Sequence, residues 1–157
     1  MKQSVLSRSF FLFILVVCCA SWSVDNSPKG INFFHGTYQQ ALAEAKKEGK
    51  LVFIDAYATW CGPCRMLAQN TFTDKKVGDY YNEHFINLEV DMEHGEGPAL
   101  ATKYKVNHFP TLVIADAEGK RILFTVGYII PEDMLGFGQY GVKQYHPELS
   151  NNNCPEN

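Results

Sequence analysis

The apolar positions of this chain change their period several times, and each change marks an element. Tyr38, Ala41, Leu42 and Ala45 recur at helical spacing, behind Thr37 as a cap and ahead of Gly49, so a helix is predicted there. The next stretch, LVFIDAYA (51–58), is almost unbroken in its apolar character, the pattern of a central strand buried on both faces. INLEVDM (86–92) instead alternates Ile86, Leu88 and Val90 with polar partners and reads as another strand, while INFFH (31–35) is a short strand-like run. Helix is predicted over RMLAQNTF (65–72), for a turn or two within DKKVGDYYNEHF (74–85), and over GPALATKYKV (97–106), where Pro98 falls near the start. TLVIADAEGKRILFTVGY (111–128) reads as a hairpin turning at Ala-Glu-Gly-Lys. PEDMLGFGQYGVKQY (131–145) starts like a helix at Pro131, although it carries three glycines, and is predicted as the last helix.

Strands and helices that alternate, then a hairpin and a last helix, predict an α/β fold: a mixed central β-sheet flanked by helices. The chain has 157 residues, 46% hydrophobic and 13% aromatic, which suits a single domain with a real core, placed at residues 31–145. Residues 146–157 are polar and read as a disordered tail.

The first twenty residues stand apart. Lys2 and Arg8 precede an apolar run from Phe10 to Val17, and Cys18, Cys19, Ala20 and Ser21 follow as small residues. That is the pattern of a signal peptide over residues 1–20, with residues 21–30 as a polar linker, and the run falls short of the ~20 apolar residues a spanning helix needs. Export to a periplasmic or secreted location is therefore expected. The alternative is a lipid anchor through Cys18 or Cys19, although Val17 or Cys18 would then occupy a position where a small residue is usual. Removing Lys2 and Arg8 changes the formal charge from −3 to −5, and no basic stripe remains to bind nucleic acid. Cys61, Cys64 and Cys154 are too few for a multi-bridge scaffold. Cys154, in the tail, reads as an incidental free thiol or an intermolecular partner.

The chemistry centres on Cys61-Gly-Pro-Cys64, where a buried strand ends and a helix begins. Proline is tolerated only in a helix's first turn, so Pro63 sets the helix start near Cys61. Unpaired backbone N–H groups and the helix dipole there favour a thiolate. Cys64 falls on the same face one turn deeper, so the pair is able to close a disulfide, with Cys61 expected outward and Cys64 shielded. The exposed thiolate would attack a target disulfide and the second cysteine would resolve the mixed disulfide. A zinc site lacks its further ligands, and a structural staple across two residues would restrain little chain entropy. Lowering a thiol from ~8.5 to ~7 takes about 2 kcal/mol, which a helix terminus supplies, whereas reaching ~3.5 takes about 7 kcal/mol. Gly62 and Pro63 offer no cation toward that larger figure, so a mildly activated, reducing pair is expected. Asp91, Glu93 and His94 are the remaining cluster with ligand chemistry; they read as surface residues, and no metal is expected.

LVFIDAYATWCGPCRM resembles the strand, active site and helix of the thioredoxin family, with Asp55 six residues before Cys61 where thioredoxins carry a buried aspartate. VNHFPT (106–111) resembles the family's cis-proline loop, and VGY (126–128) its glycine turn. The stretch 70–92 is more similar to the C-terminal domain of the membrane-spanning thiol:disulfide interchange reductase than to a minimal thioredoxin. The resemblance covers roughly 37–143 and implies the thioredoxin fold. It implies that Pro110 faces the cysteines with the Phe109 backbone left to pair with an extended substrate. It places Asp55 beneath Cys64, its pKa raised by desolvation, as the group that takes the Cys64 proton. It also implies a flat apolar patch of Trp60, Gly62, Pro63, Phe109 and Gly127 around Cys61. Asn87 aligns where many thioredoxins carry a lysine that approaches the aspartate, with Glu89 nearby, and Phe109 is bulkier than the usual aliphatic residue.

The expectation is an exported thiol:disulfide oxidoreductase that reduces protein disulfides with its own cysteine pair and no cofactor. Working in an oxidising compartment, it implies a membrane-embedded thiol electron donor; a monomer is expected. The alternatives are a net disulfide oxidase or isomerase, and a non-catalytic thioredoxin-fold binding module.

Overall fold

Strand β1 (Leu51–Tyr57) is buried along nearly its whole length and organises everything around it. In this computed structural model, which describes residues 30–145, β1 lies inside a four-stranded sheet ordered β2-β1-β3-β4. β2 (Phe85–Asp91) pairs with β1 in parallel, and β3 (Thr111–Ala115) and β4 (Arg121–Val126) continue antiparallel on the other side. The sheet is mixed and flanked by helices in one domain, as the pattern predicts. The expected signal peptide, the linker up to residue 29 and the tail, with Cys18, Cys19 and Cys154, lie outside the described residues.

Successive β1 side chains point to opposite faces, so its apolar run must be covered twice. Val52, Ile54 and Ala56 join Ile86, Leu88 and Val90 of β2 beneath α1 (Tyr38–Glu48) and α4 (Gly97–Tyr104). Leu51 and Phe53 face the opposite layer, built from the π-helical turn Leu67–Thr71, α3 (Lys75–His84) and α5 (Pro131–Tyr145). Phe53 meets Tyr81 edge-on at 4.9 Å and Phe72 at 6.1 Å. Each large apolar side chain buried this fully contributes about 1.5–3 kcal/mol. The cap at Thr37 is a full capping box with Gln40, and Gly49 ends α1 in the left-handed region.

Three elements differ from the pattern. The 31–35 run forms only an isolated bridge, Phe33 to Asn87, because the Ile31 and Asn32 N–H groups donate elsewhere, to the Phe72 carbonyl and the Asn82 side chain. The helix predicted over 65–72 is α2 (Gly62–Met66) followed by the π turn, in which the Phe72 N–H donates to the Leu67 carbonyl and Leu67, Thr71 and Phe72 are all buried. The turn or two expected within 74–85 is a ten-residue helix capped by Asp74, whose carboxylate accepts from the Lys76 and Val77 N–H groups.

The glycines of α5 have a packing reason. Gly138 is buried against Tyr81, and a Cβ there would come within 2.8 Å of that ring, which is itself fully buried with its hydroxyl donating to the Met134 carbonyl. Gly136 faces open space. Two alanine substitutions in one helix should therefore have opposite signs. Gly136→Ala should stabilise by about 0.5–1 kcal/mol through helix propensity. Gly138→Ala should destabilise by about 1–3 kcal/mol through overpacking. Denaturant unfolding of both variants measures this; two shifts of the same sign would contradict the packing.

Candidate active site

The chain leaves β1 at Tyr57 and enters α2 with Cys61 as N-cap and Gly62 and Pro63 as the first helical residues. Pro63 fits because its missing N–H falls among first-turn donors that have no helical partner. The Cys64 N–H donates to the Cys61 sulfur at 3.1 Å, and Cys61 and Cys64 are joined by a disulfide with Cα atoms 5.3 Å apart. An N–H aimed at Cys61 and the positive end of a helix are the two groups that stabilise a thiolate there once the bond is reduced.

Exposure does not separate the two sulfurs. Cys61 is 2% and Cys64 6% exposed in the disulfide form, so Cys61 is not the outward residue expected. Tyr57 and the half-buried Phe109 pack on the cluster of Ala58, Cys61 and Cys64, and Phe109 meets the Trp60 ring edge-on at 5.9 Å. The distinction between the cysteines lies in the hydrogen bond, which only Cys61 accepts.

Around the pair, Trp60 is 65% exposed and its indole N–H donates to Glu93 Oε2 at 2.8 Å. Gly62 is half-buried and Pro63 exposed. The Phe109–Pro110 bond is cis, Pro110 is buried, and the Thr111 hydroxyl donates to the His108 carbonyl within the same loop. The Pro110 carbonyl accepts the Gly127 N–H at 2.8 Å, and Gly127 holds φ 95°, a conformation side chains other than glycine's rarely adopt. The fold thus brings Phe109 against the cysteines and Trp60 against Phe109, and ties Gly127 to the cis-proline loop.

Asp55 is on the β1 face that carries Leu51 and Phe53, 4% exposed, and its Oδ1 has no hydrogen-bond partner. Burial first, and the charge of Glu89 second, raise its pKa from 3.8 to about 7. The aligned lysine position is not the one that matters. Asn87 pairs with Phe53, and its amide donates to the Asn32 and Tyr81 carbonyls and to Asn82 Oδ1. Glu89 is the residue opposite Asp55. Asp91 and His94 form an exposed pair at 2.7 Å, and among the described residues no group of three or more ligand-type side chains could hold a metal.

Sequence reasoning missed Tyr57 and Glu93 as parts of this site. Glu93 is thirty-three residues from Trp60, and no local spacing signals their contact. Glu89 had a usable signal: it and Asp55 are the fifth residues of two seven-residue strands that begin in register.

A family model described as a thioredoxin-like domain matches residues 38–141. The chain is 34% identical over 92 residues to a thioredoxin of Staphylococcus epidermidis, covering 58% of this chain and 82% of that protein. It is 34% identical over 85 residues to the thiol:disulfide interchange protein DsbD of Tatumella citrea, covering 54% of this chain but 14% of that longer protein. The solution structure of a candidate disulphide-isomerase from Bacteroides thetaiotaomicron superposes with a TM-score of 0.66 at 41% identity, covering 73% of this chain and 95% of that one. The fold and the cysteine pair define the class as thiol:disulfide oxidoreductases with a redox centre made of protein alone. Within it, the chain belongs to the thioredoxin-like family.

The buried Asp55 makes stability depend on pH. Its folded pKa of about 7 lies above the ordinary 3.8, so the unfolded chain loses this proton first and unfolding gains from ionisation as pH rises. Unfolding free energy of the disulfide form should fall as pH rises from about 4 to about 7, by up to roughly 4 kcal/mol, and then level off. Asp55→Asn should flatten that fall. Chemical denaturation across the range checks it; an equal slope in the variant would mean that Asp55 ionises without penalty.

Proposed function

We propose that this chain is an exported reductase of protein disulfides, with Cys61 as nucleophile and Cys64 as resolving thiol. The observation that carries the reading is Cys61 as the N-cap of α2, accepting the Cys64 N–H at 3.1 Å and disulfide-bonded to Cys64. In the reduced protein the Cys61 thiolate attacks a substrate disulfide, forming a mixed disulfide and releasing one substrate thiolate. Cys64 then gives its proton to the ionised Asp55 carboxylate and attacks the Cys61 sulfur. The Cys61–Cys64 bond forms, the second substrate thiolate leaves, and two electrons have passed to the substrate.

In this reading Phe109 and Pro110 meet the extended substrate backbone, and Trp60, Gly62, Pro63 and Gly127 complete the surface it lies on. The reductive direction is supported by the absence of a cation between the cysteines, since a strongly oxidising pair needs about 5 kcal/mol more thiolate stabilisation than the helix terminus provides. Export is supported by the residue pattern of 1–20. The oxidised product must be recharged, and the similarity to the interchange protein supports a membrane-embedded thiol donor for that step.

One observation favours a second reading, the 41% identity to a protein described as a candidate disulphide-isomerase. Reduction potential separates the two. Equilibration of the mature chain against glutathione and dithiothreitol buffers should give a value near −270 mV, as for thioredoxin, rather than the about −180 mV of an isomerase. Cys64→Ser, mixed with a membrane extract, should trap the donor on Cys61, and Cys61→Ser should abolish turnover. A binding module would keep its partner in the Cys61→Ser variant.

A further inference from the structure

Asp55 has to hold a proton at one stage of the exchange and release it at another, yet nothing in its surroundings does this by hydrogen bonding: one of its oxygens is buried without a partner. The groups that face it come from three strands. β3 offers Leu112, in register with it. Its own strand offers Tyr57, whose hydroxyl is pushed to higher pKa by burial and then by Glu89, Asp91 and Asp55, so it stays protonated. β2 offers Glu89. Asp91, further along β2, is already engaged with His94 and with the Glu93 N–H.

Parallel neighbours in register project to the same face of a sheet, and adjacent strands lie about 4.8 Å apart. Asp55 and Glu89 are such a pair. β1 is an inner strand and β2 the edge beside it, so one carboxyl is 4% exposed and the other is open to solvent. Among the described residues no salt bridge neutralises Glu89. A solvent-exposed carboxyl therefore stands one strand away from a buried one. Two like charges at that separation disfavour the second ionisation, and the dry partner is the one that stays protonated.

We propose that Glu89 is a positioning residue that governs when Asp55 surrenders its proton, through the negative charge it holds opposite Asp55 on β2. The proposal rests on the dithiol exchange described above for its kinetic consequence, though not for the ionisation itself. While Glu89 is charged, Asp55 retains its proton to higher pH, so the base that accepts the Cys64 proton becomes available only toward neutrality. Neutralising Glu89 makes that base available at lower pH, and a cation in its place extends the effect. The reacting bonds are unchanged: Cys64 S–H transfers its proton to the Asp55 oxygen, the Cys61–Cys64 bond forms, and the substrate thiolate departs.

The full-length protein tests this in two readouts. In the disulfide form, the infrared C=O band of the protonated carboxyl, assigned by its loss in Asp55→Asn, is followed against pH. It should disappear with a midpoint near 7 in the wild type. Glu89→Gln should move that midpoint down by on the order of half a pH unit, the size of a water-screened charge pair one strand apart, and Glu89→Lys should move it further. Glu83→Gln, an equal change of charge at the far end of α3, should leave it in place. In turnover of a peptide disulfide with dithiothreitol, the acidic limb should shift in the same direction, raising the rate there about threefold in Glu89→Gln. That gain should vanish in the Asp55→Asn background. A midpoint unmoved by Glu89→Gln, a band already absent in mildly acidic wild type, or an equal gain without Asp55 would each overturn the proposal. A wild type that turns over no disulfide would sink the reductase reading, while the infrared midpoint would still decide the role of Glu89.

Discussion

The rest of the structure depends on the double burial of β1. A strand covered on both faces can meet solvent only at its ends, and the C-terminal end of β1 is where the chain turns into α2. The cysteines are placed at that turn because a helix N-terminus offers unpaired N–H groups, and Pro63 is compatible with nothing later in the helix. The same burial takes Asp55 out of water four residues along the strand from Leu51. One packing requirement thus produces both a stabilised thiolate position and a displaced carboxyl pKa.

These two electrostatic devices draw on different sources. The helix terminus favours charge on the Cys61 sulfur with an oriented N–H and partial positive charge. The sheet interior disfavours charge on Asp55 by withholding water and hydrogen-bond partners. A proton is therefore held where the protein is dry, and a thiolate is favoured where the backbone is electropositive. Asp55 weakens the fold whenever it is ionised.

The loops around the cysteines show how several elements converge on one surface. Trp60 is steadied from β2's end by Glu93, and Phe109 reaches the disulfide from the loop before β3. Gly127 closes the arrangement by donating to the Pro110 carbonyl from the end of β4. The stretches that carry these residues are separated by tens of residues in sequence, and the sheet order alone makes them neighbours.

Much of this was legible in the residue pattern. The unbroken run 51–58 announced a strand buried twice, the alternation of Ile86, Leu88 and Val90 assigned their common face, and Cys-Gly-Pro-Cys located the helix start to within a residue. Such features are local, so spacing and proline geometry determine them. Features decided by competition between distant partners were not legible. The 31–35 run lost its ladder because Phe72 and Asn82 claimed its N–H groups, and α5 tolerates Gly138 because Tyr81 fills the space a side chain would need. Glu89 rather than Asn87 faces Asp55 because the register of two parallel strands, and not alignment to relatives, sets which side chains share a face. The sequence by itself determined the elements and the redox pair, since both rest on short-range geometry; only the tertiary structure decided the burial of Cys61 and the charge beside Asp55, since burial and charge at a site depend on whatever else packs there.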